Sequence, residues 1–585
     1  MFSYLQFRYR RAWRSWRRWL RQVIVGLQGY SQQYIWGKWR QAGLIRRFLL
    51  GWWLLIIIAI GGLVSQFQLV NRLARQAVAD PGGVYIEAAV GSVRGINPIL
   101  PESALSQDIS RLIFSGLTRY NSLGQIVPDL ANWEVSADGR TYTFHIREGV
   151  KWHDGKDLTA ADVDFTLTAI QNPDSHSPLA SSWQGVTYET PDSQTVVIKI
   201  PQPLTSFLDS TTVGILPRHI LESVEPTSLR EAAFAQEPIG TGPFKMKTFA
   251  PSAHTIELEA FQDYHHGQPQ LDGFEFRLYD TAEAALEAFA ARQVTSPGRV
   301  MPASLDSRYL VDDQLRLGTY TLPEETVLFF DNADPILSDK RLRQIISRYL
   351  DRGQLVDSAT KGYGQALSQP LLPGQIGYTN KYQFAPLDDK GAAAELAAVG
   401  WGLPAGDNIR KKDNKPLVLK LATISGGELE AAASQIKSQL AAVGIGVDLI
   451  LLGRDELQQS YIRPRSFQML LFSINLGSDP DVYSFWHSSQ VADPGLNLSQ
   501  YKSTEADRAL ETGRLKSDDL IRKGKYETFL RQWNADAPAA VLYQRVYVYG
   551  QRSSAAGLAA KRLVTPADRF YQVERWTVNQ RFVSP

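Results

Sequence analysis

Hydrophobic and polar positions alternate along residues 141–167 in a way that predicts a strand, a turn and a capped helix. Tyr142, Phe144 and Ile146 are separated by Thr143 and His145 and followed by Arg147, the period-two pattern of a half-buried strand. Asp138-Gly139 before it and Asp154-Gly155 after it are turn dipeptides. A helix then starts near Leu158, where the Thr159 hydroxyl caps the first turn. Three residues on, the Asp162 carboxylate bonds back and favours the helix dipole.

The same reading carries along the chain. It predicts a strand over 84–90, a loop closing at Asn97-Pro98, and a helix over 103–117 with Ile109, Leu112 and Ile113 on one side. A strand over 195–200 ends at Pro201 and Pro203, and 271–291 reads as a strand followed by an alanine-rich helix. Next come an apolar strand over 328–332 and a helix over 341–351. Segments 417–423, 428–443 and 447–452 then read as strand, helix and strand. Two strands joined by one helix run parallel with a right-handed crossover. Strands over 469–474 and 541–549 follow.

Several of these stretches resemble one family, and they occur in that family's order. Residues 149–155 (GVKWHDG) and 159–163 (TAADV) match a G-V-K-W/F-x-D-G step and a T-A-x-D-V helix start. Residues 240–244 (GTGPF) match a G-T-G-P-Y/F turn, and 339–344 (DKRLRQ) with Asp351-Arg352 match a D-x-R-x-R-Q helix ending in D-R. The chain is similar to the extracellular solute-binding proteins of ABC transporters, family 5, the oligopeptide-, dipeptide- and nickel-binding class. The resemblance implies an α/β, two-lobed periplasmic-binding-protein-like fold (type II) with mixed sheets and an extra inserted subdomain. It places lobe I over 84–125, 236–322 and 536–585, the inserted subdomain over 126–235, and lobe II over 323–535. It further implies a monomer that closes a hinge over a peptide or small-molecule solute, with ABC permease and ATPase subunits as partners.

Charge changes the picture at the amino end. Residues 1–47 hold eleven Arg or Lys and no Asp or Glu, and residues 48–64 (FLLGWWLLIIIAIGGLV) are seventeen residues without a charge. The run begins too far from Met1 for a cleaved signal peptide. The expectation is an N-terminal transmembrane helix over 48–67, an uncleaved signal anchor. The basic tail 1–47 then lies in the cytoplasm and the acidic remainder outside, in a single-pass arrangement at the cell membrane. Arg residues interleaved with Trp13, Trp16 and Trp19 suit a helix lying on an anionic membrane surface rather than nucleic acid. The chain has no cysteine, so disulfides, thiolate metal sites and a lipid-modified cysteine tether are excluded.

Candidate chemistry points to binding rather than catalysis. Ser434-x-x-Lys437 and Ser499-x-x-Lys502 have a Ser-Lys spacing but no companion triplets, and neither a P-loop, H-E-x-x-H nor G-x-S-x-G occurs. His265 and His266, as strand neighbours, are expected to face opposite ways with no third ligand near them in sequence, so neither a metal site nor a cofactor is expected. From the resemblance, Glu102, Ser103 and Ala104 match a cleft-lining segment of the first lobe, and Arg454, Ser473 and Asn475 match cleft positions of the second. Leu476, three before Asp479-Pro480, stands where peptide-binding members carry the acid that meets the ligand's amino group. The ligand is therefore expected to lack a free amino terminus or to bind in another register. A second reading keeps the fold as a sensor or scaffold uncoupled from import.

Overall fold

The computed structural model describes residues 46–74, 76–204, 206–300, 315–515 and 518–583, with residues 22 and 25. The chain forms two units, residues 1–78 with 581–585, and residues 79–580. Nearly all of the expected basic tail lies outside the described residues.

In the first unit Arg46–Ala74 is a 29-residue α-helix, about 43 Å long at 1.5 Å per residue. Its apolar side chains Leu50, Leu54, Ile57 and Leu63 are exposed. No helix among the described residues is long and apolar enough to cross a membrane.

The second unit is α/β with mixed sheets. Val84–Val90 runs parallel to Gly273–Tyr279, which continues antiparallel through Thr255–Ala260 to Phe244–Ala250. A separate four-stranded antiparallel sheet has the order Ala131–Val135, Thr141–Ile146, Thr195–Lys199, Thr187–Glu189. In its second strand Tyr142, Phe144 and Ile146 are buried while His145 is exposed, as the alternation predicts. The helix Ala160–Gln171 follows with Thr159 at its N-cap. Asp162 Oδ2 accepts from the Thr159 N–H at 2.9 Å and from its hydroxyl at 3.3 Å, while Oδ1 accepts from Arg218 N–H at 3.0 Å. The cap therefore also ties down a distant segment.

The third large sheet has seven strands. Its main path is Gly298–Arg299, Ala539–Arg552, Leu315–Phe330, Met469–Asn475, Val418–Ile424, Gly446–Leu452, with Gly364–Ala366 beside Ala539–Arg552. The expected strand–helix–strand unit is present: Val418–Ile424 and Gly446–Leu452 pair in parallel, joined by the helix Gly427–Ala442. Burial on both faces explains the unbroken apolar run at 327–330. Val327 and Phe329 belong to the core with Trp486 and Trp533, and Leu328 and Phe330 to the one with Ile436 and Leu440.

Two expected elements differ in length. The strand expected over 328–332 is the end of a 16-residue strand, Leu315–Phe330, paired along most of its length with Ala539–Arg552. Its register shifts between Thr321 and Glu325, around Pro323, which has no N–H for the ladder. The helix expected over 103–117 is Ala104–Ile113. Past it the backbone is spent elsewhere: Ser115 O accepts from Ile215 N–H, Gly116 O from Leu130 N–H and Leu117 O from Asp129 N–H.

Candidate functional site

The helix Ala104–Ile113 turns Leu105, Ile109, Leu112 and Ile113 into the first core. Its other face, with Gln107, Ser110 and Arg111, lines a cavity of about 320 Å³. The opposite wall is the segment carrying Asp209, Thr212 and Gly214. The two approach closely because Gly116 has no side chain: a Cβ there would stand 2.7 Å from the Thr212 carbonyl. Trp183 lines both this cavity and an open hollow of about 520 Å³ over Ala180–Val186.

The cavity has a cation and an anion in its wall. Arg111 Nη2 donates to Asp568 Oδ1 at 3.1 Å, and Asp568 Oδ2 is held by the Thr565 N–H and hydroxyl at 2.7 and 2.8 Å. Asp209 accepts from the Ser478 hydroxyl at 2.6 Å on Oδ1 and 2.8 Å on Oδ2. That hydrogen bond joins a segment next to the first core to the loop that follows the sheet strand Met469–Asn475. Burial pushes the Asp209 carboxyl above the usual aspartate range, aided by the charge of Asp479 and opposed by hydrogen bonds from Ser478 and Tyr120. The neighbouring acids are already engaged: Asp479 by Arg522 Nη2 at 2.6 and 2.8 Å, and Asp481 by Arg514 at 3.0 Å.

None of the seven residues expected from the resemblance lines this cavity, although Pro101 and Ser106, their neighbours, do. Glu102 pairs with Arg230 at 3.1 Å, Ser103 is the N-cap accepting from Ser106 N–H, and Ala104 begins the helix. Ser473 bonds across the sheet to the Thr326 hydroxyl at 2.9 Å, and Asn475 accepts from Gly477 N–H at 2.8 Å. Arg454 is exposed at the start of a short helix. Leu476 is only 6 % exposed and belongs to the core that holds Val482 and Trp486, because it shares the inward face of Ile474 two residues before it. Asp209 lies close by, with Oδ2 3.7 Å from where a Gly477 Cβ would be. The sequence reading does not reach Asp209, Arg111 or Ser478; the signal available was Asp209 as the lone charge in 204–216.

The expectation for His265 and His266 is corrected. They lie in a turn, not a strand, in which Gly267 N–H donates to Tyr264 O at 2.8 Å. Both rings reach one oxygen, Asp129 Oδ1, at 3.0 and 2.7 Å.

Comparison with known proteins agrees with the fold and its resemblance. The oligopeptide-binding protein AppA of Bacillus subtilis is 28% identical over 519 residues, covering 86% of this chain and 94% of its own. Its structure in complex with a nonapeptide superposes with a TM-score of 0.69 at 26% identity, covering 86% of this chain and 99% of that one. The substrate-binding protein CtaP of Listeria monocytogenes gives a TM-score of 0.74 at 26% identity, with 85% and 99% covered. The model of the bacterial extracellular solute-binding proteins, family 5, matches residues 125–495. That match spans more than half of the sequence, and the chain belongs to this family.

Proposed function

We propose that this protein is the membrane-anchored, extracytoplasmic solute-binding component of an ABC importer, and that it closes over a peptide or peptide-like solute at the cavity beside Asp209. The observation that carries the reading is the Asp209–Ser478 hydrogen bond at the cavity wall. A hinge-closing binder needs groups from both sides to meet at the ligand, and here a carboxylate from one side meets a hydroxyl from the other. Relatives named as oligopeptide-binding and as putative ABC transporter peptide-binding proteins support the solute class and the partners. In this reading Asp209 receives a ligand ammonium, and Arg111 faces a carboxylate or carbonyl. Leu476 positions the loop from within the core, Glu102, Ser103 and Ala104 lead into the helix whose other face lines the cavity, and Ser473 and Asn475 lie on the strand that leads to Ser478. Asp209 would serve the amino end from a different segment, which is the altered register expected from the leucine at 476.

The test is retention. The purified full chain is incubated with a defined mixture of short peptides carrying free or acetylated amino ends, and what stays bound is identified by mass spectrometry. Free-amino peptides should be retained, and Asp209→Asn should weaken them by about tenfold or more, the worth of a hydrogen bond to a charged group. Acidification should weaken them too, starting above the pH at which an exposed aspartate protonates, because the carboxyl of Asp209 is raised. Equal retention by Asp209→Asn would sink the assignment.

A further inference from the structure

Asp129, His265 and His266 come together outside the cavity lining described above. Gly267 adopts φ +102°, a conformation open to glycine, and the tight turn there sets the two histidine rings side by side with centroids 4.3 Å apart. Their Nε2 atoms lie 3.0 and 2.7 Å from Asp129 Oδ1, and the three donor atoms are all within 4.8 Å of one another. The side chains are 6 %, 15 % and 5 % exposed for His265, His266 and Asp129. A small cavity of about 30 Å³ borders Asp129 and Tyr264, room on the order of one water molecule.

We propose that Asp129, His265 and His266 form a binding site for a late first-row divalent transition-metal ion of the zinc, cobalt or nickel kind. Two imidazoles and one carboxylate are a donor set such ions accept, with a water in the fourth position. A tetrahedral ion with bonds near 2.0–2.1 Å sets its ligand atoms about 3.3 Å apart, against nitrogen–oxygen separations of 3.0 and 2.7 Å here, so the carboxylate oxygen and the two nitrogens would part by roughly 0.3–0.6 Å to admit the ion. Two features limit the affinity. Arg119 Nε stands 4.0 Å from Asp129 Oδ1. The Nδ1 of His265 is buried without a partner among the described residues, so that ring lacks the outer hydrogen bond that tightens many metal-bound imidazoles. Micromolar rather than nanomolar binding is expected.

The experiment uses untagged full-length protein stripped with a chelator and titrated with cobalt(II). About one ion per chain should be taken up, with the visible absorption of a tetrahedral nitrogen–oxygen site, and zinc should displace it. His266→Ala should weaken uptake at least about tenfold, while His145→Ala, an exposed histidine elsewhere, leaves it unchanged. The unaltered protein supplies a second readout that does not depend on a variant folding: paramagnetically shifted ring N–H signals from two histidines. Failure to retain cobalt, absence of those signals, or unchanged uptake by a folded His266→Ala protein would overturn the site.

Discussion

Two buried acids show how differently one residue type is treated in this molecule. Glu87 receives the Arg569 guanidinium at 2.6 Å, and Arg569 also reaches Asp108 at 2.8 and 2.9 Å. Glu325 is equally buried, yet neither of its oxygens has a hydrogen-bond partner among the described residues. It stands opposite Gln544, whose amide is spent on Leu322 O at 2.7 Å. Burial alone raises the Glu325 carboxyl well above the ordinary glutamate value. A group raised in the folded state contributes its stability fully below the unfolded pKa and loses it as pH rises toward the folded value. Stability from this position is therefore present in acid and lost toward neutral pH. Glu325→Gln should be about 1–3 kcal/mol more stable than the parent at pH 7.5, with the difference shrinking near pH 4. Urea unfolding at both pH values measures it, and a less stable variant at pH 7.5 would contradict the account.

At the scale of elements, helix ends place the site. The helix closes at Ile113 because the carbonyls of Ser115, Gly116 and Leu117 serve other segments, and Gly116 lets the Asp209 segment approach. The helix Arg46–Ala74 is a different case, since its exposed apolar side chains find no core. In the proposed anchor a bilayer would bury them at about 25 cal/mol per Å², with the basic residues before it on the cytoplasmic side. Protease added to intact cells should thus digest residues after the helix and spare those before it. A mature amino terminus beyond residue 65 would refute the anchor.

At the scale of the whole unit of residues 79–580, the paired strands Leu315–Phe330 and Ala539–Arg552 run from the neighbourhood of Gly298 to that of Met469. In the proposed closure, the register breaks at Pro323 and at Thr326 are the points where these strands would bend. A single hydrogen bond to a charged group, Ser478 to Asp209, is worth about 1.5–3 kcal/mol. In the proposed closure it would shift the open–closed equilibrium by roughly tenfold to a hundredfold, leaving room for a ligand to finish it. A retained peptide should therefore reduce the radius of gyration in small-angle scattering. No change at saturation would favour the sensor or scaffold reading.

What the sequence determined by itself was local. The alternation at 141–146, the Thr159–Asp162 cap and the parallel strand–helix–strand unit depend on neighbours within a few tens of residues, and all three appear in the structure. The family was legible for the same reason, because its motifs are short and ordered. The site was not. Asp209 meets Ser478 across 269 positions, and Asp129 meets His265 across 136, separations that no periodicity encodes. The turn at Gly267 brought two histidines to one side where a strand would have parted them. The resemblance puts Leu476 at the cleft by position, yet the sheet face it shares with Ile474 turns it into the core. Which way a side chain faces at the end of a strand, and which acid then stands across from it, is decided by packing, and only the tertiary structure carries that.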